Sequence, residues 1–519
     1  MATPEVEPRQ GSVDELFDAW EDAWSDKDQD AFRQLCSPQL HYEDPLTGEP
    51  LEGIPALLTH AEQLWEAFPD ARLEQLGPRL ADGRMAAAPS KLPLASVAGA
   101  ATALVLLTAL NFINFIDRYI LPGVQELVKR DFNLSDERIG ALTFWFFLTY
   151  MFAAPLTGWL GDHYPRKPLI VLAALFWSAT NLFTATVHTY FSLAFRHAAL
   201  GIGEASFSIY APALLADFYP EDQRNRVLTI FYTAIPVGAA VGYALGGALG
   251  GRFGWRVPFF VSAFPGILIA LLILFLVKEP QRGATDPKPR GQKRLGANAI
   301  SPFSLVRNAP YLYATLGLAM VVFSMGGISF WIPSFLQRRA GYSPGSAGLI
   351  VGALTVLGGL GGTAIGGWVA QRWLRTNYRA LYLVSAWSAL LTVPPAVLCF
   401  FGPKSAIVPG LALALFFIFL GNGPLNAAIV NSVPAAIRAT AIAVELFLIH
   451  ALGDAPSPRV IGIVSDHTSL GTGLGVTLAS LLLATLLLFL GARNLEAPPS
   501  ESSNLDLPDP GAQTLPAQA

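Results

Sequence analysis

The sequence predicts an all-α membrane protein of about twelve spanning helices in two six-helix halves, with a small α+β appendage ahead of them. Three observations carry this expectation. The 519 residues are 52% hydrophobic and only 14% charged, with 33 Phe, a balance too apolar for a soluble chain of this size. From about residue 95 onward, apolar runs near the ~20 residues needed to cross a bilayer core recur with short polar breaks. One basic stretch divides these runs six and six.

Taken in chain order, residues 12–35, SVDELFDAWEDAWSDKDQDAFRQL, read as two amphipathic helices, followed by HYEDP and the helical stretch IPALLTHAEQLWEAFPDARLEQL. No basic start with a short apolar core precedes them, so no cleavable signal peptide is expected. The spans are expected at 97–121, 138–160, 168–187, 191–215, 227–250 and 257–277, then at 310–335, 346–369, 381–401, 406–430, 439–463 and 470–492. Domains follow: a soluble segment 1–84, a first bundle 95–278, a linker 279–309, a second bundle 310–492 and an acidic, Pro-rich disordered tail 493–519.

The linker carries Lys278, Arg282, Lys288, Arg290, Lys293, Arg294 and Arg307 against Glu279 and Asp286. Basic excess marks the cytoplasmic side. The 2–3 loop with Arg166 and Lys167 and the 8–9 loop with Arg372, Arg375 and Arg379 fall on the same side, and an even number of spans places both termini there. A net charge of −4 without a dense Lys/Arg run excludes nucleic-acid binding. Cys36 and Cys399 lie in unlike regions, so neither a disulfide nor a metal site is expected, and no cofactor or catalytic residue is assigned.

Between Lys91 and Asp117 no side chain is ionisable, yet NFINFIDRYIL then places Asp117 beside Arg118. On a helix Asn111, Asn114 and Arg118 share a face, with Asp117 on its flank. Charges at membrane depth cost at least ~2.5–3.5 kcal/mol each, so they persist where a partner or a wet cavity receives them. The stripe reads as cavity wall; an outer-boundary position for the pair is the alternative. In span four, Arg196 and Glu204 are separated by ~12 Å along the axis and do not pair directly. Glu204 needs another partner, and Arg118 is the candidate; Arg196 reads as a scaffold residue near the outer boundary. A carboxylate whose proton affinity depends on a movable arginine is a ready coupling device.

Further cavity candidates are Asn422 and Asn426 in GNGPLN, and His450 and Asp454 as i, i+4 neighbours in span eleven; Glu445 reads as a cytoplasmic boundary residue. GNGPLN breaks span ten, and MGGISFWIP, Met325–Pro333, is expected to bend span seven. PVGAAVGYALGGALGG in span five points to close helix packing.

The segments NFINFIDRYILPGV, GWLGDHYPRK, FRHAALGIGEASFSIYAPALLADFYP, GGISFWIPSFL and HALGDAPSPRVIGIVSD resemble the Spinster branch of the major facilitator superfamily over about residues 95–492. The resemblance implies the twelve-helix major facilitator fold with pseudo-symmetric 6+6 halves. GWLGDHYPRK matches the family loop signature, implying a gate at Gly158, Asp162, Arg166 and Lys167, while the equivalent GGWVAQRWLR has Ala370 in place of the acid. By motif position Asp117, Arg118 and Glu204 stand where the family has its acid–base pair and its span-four glutamate. The implied activity is secondary, proton-coupled transport of amphipathic lipids or hydrophobic organic anions by alternating access. Its partners are that substrate, protons and the bilayer, in a multi-pass monomer of the cell membrane, the inner one in a bacterium. A carrier of sugars, carboxylates or drugs is the alternative within the fold. Residues 1–84 resemble the start of a SnoaL-like domain that lacks its later strands, so His41, Glu43 and Asp44 receive no catalytic role. They leave open a membrane-tethered cyclase-like enzyme, or a transporter proper that begins at Met85. No G-x-x-x-x-G-K-[ST] loop is present to power an ATP-driven pump.

Overall fold

The computed structural model describes residues 19–36, 40–42, 51–67, 80–81, 86–87, 97–282, 304–433 and 437–495. The linker cations Lys288, Arg290, Lys293 and Arg294, the HYEDP residues Glu43 and Asp44, Met85 and the tail from 496 lie outside these residues.

In the amino-terminal part, α1 (Gln29–Leu35) begins where the Asp28 carboxylate accepts from the amides of Asp30 and Ala31, and α2 (Gly53–Ala67) follows. Their contact closes over Trp24, Phe32, Leu57 and Ala61. The Trp65 indole donates to the Trp24 carbonyl at 3.0 Å. The strands among the described residues are two-residue pairs, His41–Tyr42 with Leu51–Glu52 and Leu80–Ala81 with Ala86–Ala87.

The first half consists of α3 (Ala100–Phe132), α4 (Asp136–His163), α5 (Arg166–Phe183), α6 (Tyr190–Phe218), α7 (Glu221–Phe253) and α8 (Arg256–Leu276). The second consists of α9 (Ala309–Phe335), α10 (Pro344–Leu374), α11 (Ala380–Phe401), α12 (Lys404–Leu420) with α13 (Asn422–Asn431), α14 (Arg438–Ile449) with α15 (Ser457–His467), and α16 (Leu470–Arg493). Among the described residues, ten helices are long and apolar enough to cross a membrane, α12 and α13 counting as one. The 18-residue α5 and the split α14–α15 segment supply the remaining two expected spans. Large apolar side chains such as Phe152, Phe191, Phe275 and Trp368 are more than half exposed, as a lipid-facing surface requires.

The halves repeat a turn that no sequence motif announced. After α3, Asn133 adopts φ +50° and Ser135 caps α4; after the π-helical turn Leu336–Ala340 that ends α9, Gly341 adopts φ +79° and Ser343 caps α10. The left-handed residue reverses the chain, and the serine oxygen takes a first-turn amide of the next helix.

Three spans depart from expectation. The first continues 11 residues past Leu121 to Phe132, because Pro122 is tolerated in its interior. Span seven runs unbroken through Met325–Pro333: a Cβ on Gly326 would lie 2.7 Å from Asp454 Cβ, so the glycine serves packing, and the irregular turn comes after Phe335. Span eleven is interrupted by a π-helical turn, His450–Asp454. In span five a Cβ on Gly238, Gly242 or Gly246 would come within 2.7 Å of the carbonyls of Phe112, Ile116 or Ile120, so α7 lies against α3 nearly backbone to backbone.

The halves are tied at the end away from the linker. Arg338 bonds both Glu126 and Asp136, with Nη1 2.6 Å from Asp136 Oδ2; Lys129 also reaches Asp136, and Ser465 donates to it at 2.6 Å. Asp466 accepts the first-turn amides of Asp136 and Glu137 at 2.8 Å each. Gln125 reaches the Phe330 carbonyl and Ser334 in the same layer.

Candidate functional site

The stripe on α3 divides by face. Arg118 turns to a cavity of about 120 Å³ whose wall also includes Phe146, Phe147, His197, Ser329 and Asp454. Its Nε and Nη2 donate to the same oxygen of Glu204, Oε2, at 2.8 and 2.6 Å. Glu204 is fully buried, whereas the Arg118 side chain is 21% exposed. The guanidinium lies 4.9 Å from the Phe115 ring centre and 5.1 Å from that of Phe146, an aromatic collar that limits its hydration. The second Glu204 oxygen has no hydrogen bond among the described residues and lies beside Asn114. A carboxylate with one oxygen committed and the other open has room for a proton.

Asp117, one residue away and so rotated by about 100° on the helix, points into the bundle. It is buried beside Ser262, Asn181 and Arg196, with neither oxygen in hydrogen-bonding geometry among the described residues. Arg196, expected as a scaffold residue near the outer boundary, stands six residues into α6 and packs inside the bundle. It is fully buried, donates to Asn181 Oδ1 and to His197 Nδ1, and lies 4.5 Å from the Phe259 ring centre. The adjacent acid and base of α3 thus face a base and an acid of α6 in reverse order, Asp117 toward Arg196 and Arg118 onto Glu204. With Nδ1 accepting from Arg196, the His197 proton sits on Nε2 at the cavity wall.

Across the cavity, the π-helical turn aims two side chains at α4. His450 Nδ1 lies 2.9 Å from Asp454 Oδ1, and the imidazole stacks on Phe147 at 4.9 Å. Asp454 shares the cavity wall with Arg118. The other candidates lie elsewhere. Asn111 is buried and donates to the Phe231 carbonyl at 3.0 Å, tying α3 to α7. Asn422 and Asn426 bond each other on α13. Glu445, expected at the cytoplasmic boundary, is buried on α14. In the loop signature, Lys167 donates to the Val277 carbonyl at 2.9 Å, and the Arg166 amide donates to Glu279 at the start of the linker. A Cβ on Gly158 would meet nothing within 4 Å, whereas one on Gly161 would lie 2.8 Å from the Tyr210 ring, so close approach belongs to Gly161.

Sequence reasoning passed over Asn181, His197 and Ser262, and the outer tie of Arg338, Asp136 and Asp466. Asn181 was findable as a lone amide in the apolar run WSATNLF. The outer residues sit at helix ends, where a charge carries little signal of its own.

Comparisons with known proteins bear on this arrangement. Residues 107–458 match the Major Facilitator Superfamily and residues 17–102 the SnoaL-like domain, the second match running past residue 84 to the start of α3. Protein spinster homolog 1 of Mus musculus is 35% identical over 392 residues, 70% of this chain and 72% of its own length. The sphingosine-1-phosphate transporter SPNS2 of Danio rerio is 34% identical over 378 residues, 69% and 74% respectively. A bacterial homolog of the human lysosomal transporter Spinster, solved in an inward-facing and occupied conformation, aligns with a TM-score of 0.68 at 21% identity, over 77% of this chain and 99% of that one.

Proposed function

The chain belongs to the Spinster branch of the Major Facilitator Superfamily, membrane transporters rather than enzymes, and we propose that it moves amphipathic lipids or hydrophobic organic anions by proton-coupled alternating access. The observation that carries this reading is the Arg118–Glu204 pair, joined through a single carboxylate oxygen at the wall of the cavity.

An anionic head group reaching Arg118 competes with Glu204 for the guanidinium. The released carboxylate, buried and without its cation, takes up a proton, because a lone charge there is far costlier than a neutral acid. Deprotonation after the cargo leaves restores the pair. Asp117 and Arg196 form the second store of charge in the same half, and His197, bonded to Arg196 and open to the cavity, links the two. His450 and Asp454 supply the opposite wall. At about 120 Å³ the cavity holds a head group and not an acyl chain, so the apolar part of the cargo requires a wider state than this one. That volume alone would also admit a small carboxylate, the main rival cargo. The divisions 1–84, 95–278, 279–309, 310–492 and 493–519 remain our working domains, with both termini and the Gly158–Lys167 loop on the cytoplasmic side of the cell membrane.

Proteoliposomes loaded by dilution and assayed with a lysophospholipid, a sugar and a carboxylate, each with and without an imposed pH gradient, test the reading. Lysophospholipid uptake that rises with the gradient supports it. Uptake of only the sugar or the carboxylate, or uptake indifferent to the gradient, overturns it.

A further inference from the structure

A second cavity lies outside the transport path, at the end of the first half away from the linker. About 520 Å³ in volume, it is formed by the last turn of α3 and the turn between α7 and α8, and its wall includes Leu127, Arg130, Asp131, Phe253, Trp255 and Arg256. Its cations are not matched by its acids. The one carboxylate in this wall, Asp131, already accepts from the Trp255 indole and from Arg256 Nη1, both at 2.9 Å. Arg256 also donates to the Val187 carbonyl at 2.7 Å and lies 4.1 Å from the Trp255 ring centre, so it is fixed in place. Arg130 is exposed and has no ion-pair partner among the described residues, and Arg252 lies on the ring of Phe253 without one. The neighbouring acids Glu126 and Asp136 are taken by Arg338 and Lys129. In the wall Arg130 and Arg256 stand against Asp131, a net charge of +1, and Arg252 adds a third cation beside the wall residue Phe253.

Basic residues that orient a membrane protein gather at its cytoplasmic loops, which here means the linker end. That bias does not account for an arginine cluster at the opposite end. What lies below it does suggest an occupant. From Arg256, α8 descends with Phe260, Phe264, Leu268, Leu271 and Phe275 along one face, all exposed. An arginine-lined recess at the head of a lipid-facing apolar stripe fits one phospholipid molecule, phosphate above and acyl chain below.

We propose that this cleft binds the phosphate of an anionic phospholipid from the leaflet away from the linker, through Arg130 in its wall, with Arg252, stacked on the wall residue Phe253, as a flanking cation and Arg256 and Trp255 as its fixed floor. The site is separate from the transport cavity and does not rest on the identity of the cargo.

The test uses the full chain, delipidated in detergent, with thermal unfolding followed as dioctanoyl phosphatidylglycerol, dioctanoyl phosphatidylcholine or inorganic phosphate is added at constant ionic strength. Phosphatidylglycerol should raise the midpoint at concentrations at least tenfold below those needed of phosphatidylcholine, and phosphate should do little. The Arg130→Gln/Arg252→Gln double variant, altered only at exposed positions, should lose that tenfold preference, and Arg118→Gln should keep it. An unchanged preference in the double variant overturns the proposal. So does its loss in Arg118→Gln, which would place the lipid in the transport cavity, or a full shift with inorganic phosphate, which would make this a soluble-anion site.

Discussion

Replacing Glu204 by Gln separates binding from coupling. In the wild type an anionic head group must displace a carboxylate that receives two guanidinium hydrogens on one oxygen, at 2.8 and 2.6 Å. A hydrogen bond to a charged group contributes about 1.5–3 kcal/mol. The Gln amide oxygen still accepts, but without charge, so most of that competition disappears. At about 1.4 kcal/mol per decade, the head group should bind the variant about 10- to 100-fold more tightly. The variant has no carboxylate at this position to protonate, so accumulation driven by a pH gradient should vanish while exchange of internal for external cargo persists. Isothermal titration with a short-chain lysophospholipid reads the first effect, and paired gradient-driven and counterflow assays in proteoliposomes read the second. A variant with unchanged affinity and full gradient-driven uptake would refute the competition on which the mechanism rests.

Other perturbations address the parts around this pair. Arg338→Gln loosens the outer tie; because Arg338 is 28% exposed, the low end of the range for a truncated ion pair applies, about 2 kcal/mol, and spin-label distances between α4 and α15 should show the state open at that end enriched about 30-fold. Gly140→Ala places a Cβ 2.4 Å from the Pro458 carbonyl oxygen, so the two halves should fail to close there. Transport should fall at least tenfold while the thermal midpoint in detergent changes little. Asn111→Leu removes a tie between α3 and α7 and should cost about 1 kcal/mol of stability, with transport per folded molecule unchanged; a loss of transport there would return Asn111 to the cavity.

The fold was legible because a bilayer imposes one dominant rule, an apolar run of fixed length, which ten helices among the described residues obey, while the 18-residue α5 and the split α14–α15 segment supply the other two expected spans. The charged residues were legible for the complementary reason. Asp117, Arg118 and Glu204 break an otherwise uncharged background, and the cost of a charge there marks them without help from neighbours. Their facing directions were not legible. Adjacent residues on a helix point about 100° apart, and which of the two meets the cavity depends on how α3 is rotated against α6 and α7. That rotation is set by Gly238, Gly242 and Gly246 receiving the backbone of α3, a packing fact spread over two helices. Arg196 was legible as a scaffold residue toward the outer end of α6, but the partners that receive its buried guanidinium, Asn181, His197 and Phe259, were not, because they come from two other helices and a neighbouring position.

The reversed order of charges on α3 and α6 has a mechanical meaning. Each of these four side chains alone carries a charge that the membrane interior penalises, yet the four together are neutral and all lie within the first half. The second half contributes Asp454 with its partner His450, and Asp454 lines the same cavity as Arg118. Under the proposed alternating access, rocking the halves apart should leave the Arg118–Glu204 pair, which lies within the first half, intact and carry Asp454 away. With Asp454 removed from the cavity wall, Arg118 would be left with Glu204 alone, and under the proposed mechanism its hold on an incoming anion should strengthen. The proposed mechanism would in this way link the conformational change and the binding step through one guanidinium, Arg118.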